Sequence, residues 1–94
     1  MSQVKPAVLV VDDVEANLVA LEAQLAKLEC DVVLARSGND ALRDLLRREH
    51  AVMLLDVQMP QMDGMELCRR VRARPGAYLP IIMVTSVDVD EEKA

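Results

Sequence analysis

Short runs of apolar side chains alternate along this chain with stretches in which leucines recur every three or four positions. The first run, Ala7 to Val11, is bounded by Pro6 and Asp12 and is apolar at every position. Such a run is too short for a typical helix and reads as a strand buried on both faces. The period then changes. Val14, Leu18, Leu21, Leu25 and Leu28 make a helical stripe, with Asp13 expected as its N-cap. Asp31 to Ala35 predicts a second strand, and Ser37-Gly38-Asn39 a turn and cap. Ala41, Leu42, Leu45 and Leu46 mark the inner face of a second helix. Ala51 to Leu55 predicts a third buried strand ending at Asp56, followed by a loop from Val57 to Asp63 that holds Pro60. A third helix follows Gly64, with Met65, Cys68 and Val71 expected inward and Arg69, Arg70, Arg72 and Arg74 largely outward. Pro75-Gly76 is expected to end it. Pro80 to Val84 predicts a fourth strand with Thr85-Ser86 at its end, and Val87 to Ala94 reads as the start of another helix.

Continuous apolar strands alternating with helices predict an α/β fold, a parallel sheet covered by helices on both faces. Right-handed crossovers narrow this to a doubly wound sheet. The length of 94 residues allows one small domain, taken here as residues 1–94. Its core must be aliphatic, because Tyr78 is the only aromatic residue.

The charge balance narrows the partners. Sixteen acids against 11 Lys and Arg leave a net charge of −5. That argues against direct nucleic-acid binding, which rests on neutralising phosphates. Charged residues interrupt every apolar run well before the length of a membrane span, so no membrane segment is expected. Cys30 and Cys68 have no metal-ligand spacing and read as reduced thiols of a cytoplasmic protein. His50 precedes the third strand, at the end of the sheet away from the acids, and is expected at the surface.

In an open parallel sheet, ligands bind beyond the carboxyl ends of the strands. Asp12 and Asp13 follow the first strand there, Asp56 the third, and Thr85 the fourth. One Asp after a strand is most simply a helix cap. Three gathered carboxylates repel one another unless a cation sits among them. Oxygen ligands suit a hard ion such as Mg²⁺. No glycine-rich phosphate loop is present, so nucleotide binding is disfavoured. A carboxylate that itself accepts a phosphoryl group remains open.

Three segments carry a family resemblance. Val8-Leu9-Val10-Val11-Asp12-Asp13, then Leu54 to Gly64 (with Asp56, Met59-Pro60 and Met62-Asp63-Gly64), then Pro80 to Ser86 together resemble the receiver domain of two-component response regulators. The resemblance covers essentially the whole chain. It implies a flavodoxin-like fold with strand order 2-1-3-4. Asp56 is then the phosphoacceptor, served by a sensor histidine kinase or phosphotransfer protein. Asp13, Asp56 and the backbone carbonyl of Gln58 are implied as direct Mg²⁺ ligands, with Asp12 acting through a metal-bound water. Thr85 is implied to hydrogen-bond the phosphoryl oxygen, and Gln58 and Val87 to tune the lifetime of the aspartyl phosphate. Such a domain catalyses its own phosphorylation and dephosphorylation and is not a conventional enzyme.

Set against that family, the chain stops inside the fourth helix, so the fifth strand, its Lys-Pro end and the fifth helix are expected to be missing. Lys93 does not stand in the lysine's place. The expected consequences are impaired switching and self-association through an apolar edge, Ile81 to Thr85. Two rivals are weaker. A phosphohydrolase would need D-x-D, where this chain has Asp12-Asp13-Val14. A non-switching fragment used only for dimerisation sits poorly with a complete set of Asp12, Asp13, Asp56 and Thr85.

Overall fold

The computed structural model describes residues 5–56, 64–74 and 79–84. Its elements in chain order are β1 (Ala7–Val11), α1 (Glu15–Leu25), β2 (Asp31–Ala35), α2 (Gly38–Arg47), β3 (Val52–Asp56), α3 (Gly64–Arg72) and β4 (Ile81–Val84). The four strands form one parallel sheet in the order β2-β1-β3-β4. This is the predicted α/β architecture, with the alternation of strand and helix intact.

The pleat of β1 divides the core in two. Leu9 and Val11 point to one face, with Met53 and Leu55 of β3, and are covered by Ala41 and Leu45 of α2 and Leu67 and Val71 of α3. Val8 and Val10 point to the other face, where Leu18, Leu21 and Leu25 of α1 pack. Successive residues of a strand face opposite sides, so a strand apolar throughout can serve two helical layers at once. β1 is buried along its whole length for this reason.

Several details differ from the sequence reading. α1 ends at Leu25, so Leu28 lies in the turn beyond it and is exposed. Its N-cap is Val14, not Asp13, and no side chain caps it there. Val14 is itself exposed, so the buried part of the stripe starts at Leu18. In α2, Ala41 and Leu45 are buried but Leu46 is 78% exposed. One step along a helix turns a side chain by about 100°, which carries position 46 off the inner face. In α3 the inner pair is Leu67 and Val71, one turn apart, while Met65 points to solvent and Cys68 is half-buried. Ser37 caps α2 as expected, its Oγ accepting from the Asp40 amide at 3.1 Å.

The loop Val57 to Asp63, Pro75-Gly76, and the segment holding Thr85 and Val87 to Ala94 lie outside the described residues. Among the described residues no helix is long and apolar enough to cross a membrane.

Candidate functional site

Asp12 and Asp56 stand at the same level of the sheet because their strands are neighbours in register. Val11 pairs with Leu55, so the next residue of each strand projects beyond the carboxyl edge together. Asp56 is the last residue of β3 and pairs with Val84 on its other side. Asp12 and Asp56 are each 3% exposed, while Asp13 is exposed.

One carboxylate oxygen from each of Asp12, Asp13 and Asp56 lies within 4.8 Å of the others. The span across an octahedral Mg²⁺ shell is about 4.2 Å, twice the ligand distance. The cluster is therefore close to what one small cation bridges. Every donor is a carboxylate oxygen, the donor chemistry of a hard divalent ion. Like charges this close repel, and a bound divalent cation reverses that term. The residues present fit such an ion.

The turn between β1 and α1 sets the cluster's shape. The Asp12 amide donates to the Ala35 carbonyl at 3.1 Å, tying the end of β1 to the end of β2. Asp12 Oδ1 accepts the Val14 amide at 2.9 Å, an Asx-type turn. Asp12 Oδ2 accepts from Asn17 Nδ2 at 3.1 Å. The carboxylate that orders the start of α1 is thus Asp12, and Asp13 is left to the cluster.

Beside the cluster, Arg36 follows β2 and grips Glu15 with two bonds, Nε to Oε1 at 2.7 Å and Nη2 to Oε2 at 3.0 Å. The Arg36 guanidinium holds the Glu15 carboxyl below the usual carboxylate range, and the same contact raises Arg36. This clamp occupies Arg36 and fastens the first turn of α1 to the sheet.

The chain matches the family described as response regulator receiver domain over residues 8–94. The protein belongs to the response regulator receiver family. It is similar to the response regulator PleD of Caulobacter vibrioides, 40% identical over 82 residues, 86% of this chain and 18% of PleD. The chain therefore spans about a fifth of that relative's length. Among solved structures, a response regulator receiver protein from Pseudomonas putida superposes with a TM-score of 0.82 at 34% identity, covering 98% of this chain and 78% of that one. Vibrio cholerae CheY4 gives 0.83 at 30% identity, covering 96% and 76%. The sheet order 2-1-3-4 is that of the flavodoxin-like, CheY-type fold.

Three of the expected residues, Asp12, Asp13 and Asp56, come together at the carboxyl end of the sheet. Gln58 and Thr85 lie outside the described residues. Three residues of the site's surroundings escape a reading by pattern alone, Asn17 and the paired Glu15 and Arg36. Asn17 has a faint signal: it precedes the partly buried Leu21 by one turn, so a polar residue sits on an inward row near the strand ends. The clamp joins residues 21 apart in sequence and has no local signature.

His50 is a correction. It is half-buried, and both ring nitrogens are shielded from water with no hydrogen-bond partner among the described residues. Burial pushes its pKa below the usual 6.5, with repulsion from Arg48 adding to this and Asp44 opposing it.

Proposed function

We propose that this receiver accepts a phosphoryl group onto Asp56 from the phosphohistidine of a sensor kinase or phosphotransfer protein. The observation that carries the reading is the meeting of Asp56 with Asp12 and Asp13 at the carboxyl edge of the sheet, within a chain of the receiver family. Asp12, Asp13 and Asp56 would hold Mg²⁺, with the Gln58 carbonyl as a further ligand. When bound, the ion supplies positive charge against the phosphoryl oxygens.

The chain's own contribution is positional. Asp56 ends β3 and is paired with Val84 of β4, so the sheet holds its backbone at the edge an incoming phosphorus would reach. A carboxylate oxygen attacks phosphorus, the phosphorus–nitrogen bond breaks, and its electron pair returns to the donor imidazole. Thr85, one residue beyond the β4 partner of Asp56, is the residue proposed to meet a phosphoryl oxygen. The domain thus acts as a phosphoacceptor that promotes its own modification rather than as a turnover enzyme. Its setting is proposed as the cytoplasm, in keeping with two free thiols, Cys30 and Cys68.

A second reading, self-association through β4, has its own observation. Ile82 is 53% exposed and Met83 is exposed beside it, on a strand at one edge of the described sheet. Exposed apolar edges pair readily with other chains. The two readings are compatible in one molecule.

Incubation with acetyl phosphate and Mg²⁺, followed by intact-mass measurement, tests the first. One phosphoryl group is expected on the chain, none without the ion and none on Asp56→Asn. Labelling that persists in Asp56→Asn overturns the assignment.

A further inference from the structure

We infer that Asn17 is a positioning residue for the metal centre, acting through Asp12. The inference rests on the proposed metal-binding role of Asp12, Asp13 and Asp56, and adds a residue outside that set. Asn17 lies on the first turns of α1, half-buried, with its Nδ2 donating to Asp12 Oδ2 at 3.1 Å. The Val14 amide takes the other oxygen at 2.9 Å. One donor fixed on each oxygen sets both the rotation and the tilt of a carboxylate that is 3% exposed.

Two consequences follow from the chemistry of these groups. An ionised carboxylate has about four lone-pair sites, so each Asp12 oxygen keeps capacity for a further donor or an ion. The two bonds therefore orient Asp12 without saturating it. The amide of Asn17 is also neutral, so it holds one member of a three-carboxylate cluster without cancelling the charge that attracts a cation. A Lys or Arg in its place would occupy the cluster instead. The backbone donor cannot be removed by substitution, whereas the Asn17 donor can. Outer partners that orient metal-binding side chains typically change metal affinity 10–100-fold when removed. The Asn17 bond is one of two on Asp12, and the cluster has two other acids, so the lower end of that range applies.

Mg²⁺ titration by calorimetry on the full chain tests the inference, with denaturant unfolding in EDTA as the companion measurement. Asn17→Ala is expected to weaken Mg²⁺ binding roughly tenfold. Its unfolding midpoint without metal is expected to fall, because a bond to a buried carboxylate is lost and the better helix propensity of Ala offsets only part of it. A merely structural role would show that lower midpoint alone, with unchanged affinity. Asn17→Ser, which keeps a short donor, should recover part of the affinity. If Asn17→Ala does not fold, Asn17→Leu, close in size and uncharged but without a donor, reads the same step. It should weaken binding too, and unchanged affinity there would overturn the inference. Asp13→Asn separates the two levels of the reading. Unchanged affinity in Asp13→Asn sinks the metal centre itself. Loss in Asp13→Asn with unchanged affinity in Asn17→Ala sinks only the role of Asn17.

Discussion

Leu67 and Met65 lie two positions apart on α3, yet one is fully buried against the sheet and the other faces solvent. Leu67→Ala leaves a cavity in the layer formed with Ala41, Leu45 and Val71, and is expected to cost about 2–5 kcal/mol. Met65→Ala should stay within about 0.5 kcal/mol, as surface changes do. Urea denaturation of the two variants distinguishes them, and equal losses would contradict the packing described. His50 makes a separate prediction at this scale. Its pKa is lowered on folding, so the unfolded chain binds a proton that the native state resists. Its contribution to stability is complete above pH 6.5 and is lost as pH falls below that value. The wild type should therefore lose more stability between pH 7.5 and pH 5.5 than His50→Gln does. Identical pH profiles for the two proteins would show that the imidazole stays neutral at no cost.

The helices are secured at their starts by different means. α2 has a side-chain cap at Ser37, acidic Asp40 in its first turn and Arg47 in its last, all favourable to the helix dipole. α1 has no side-chain cap at its N-cap, and its entry is ordered by Asp12 and the Glu15–Arg36 clamp. Ser37→Ala is thus expected to cost about 1 kcal/mol in thermal or urea unfolding. α3 binds Glu66 to both Arg69 and Arg70, pairs that lie on the exposed face and hold its carboxyl below the usual range. Such exposed pairs contribute little to stability. The anchoring of α3 rests on Leu67 and Val71, and on Arg72, whose Nη1 donates to the Leu79 carbonyl at 2.8 Å.

For the molecule as a whole, the proposed chemistry and the proposed association fall on different parts of the sheet. The acids lie where β1 and β3 end, and these are the two central strands of the described sheet. The apolar exposure of Ile82 and Met83 lies on β4, at its edge. A charge placed on that edge should block pairing without touching the carboxylates. Ile82→Lys is expected to sediment as a smaller species than the wild type at tens of micromolar. A wild type that sediments as a monomer at that concentration would remove the association reading.

Local pattern was enough to determine the order of strands and helices, and the ends of the strands where the acids fall. Strand burial and helical period are short-range properties of polarity. The adjacency of β1 and β3, which makes Asp12 and Asp56 neighbours, is decided by the tertiary structure. The receiver resemblance supplied that strand order, because spacing alone does not order a sheet. Azimuth was likewise beyond the pattern. Leu46 and Met65 look inward by composition, yet one step from buried Leu45 and two from buried Leu67 around the helix carry them outward. The division of labour between Asp12 and Asp13 was also closed to sequence, since either carboxylate suits a cap. Only the path of the turn after β1 delivers the Val14 amide and Asn17 to Asp12, leaving Asp13 exposed beside it.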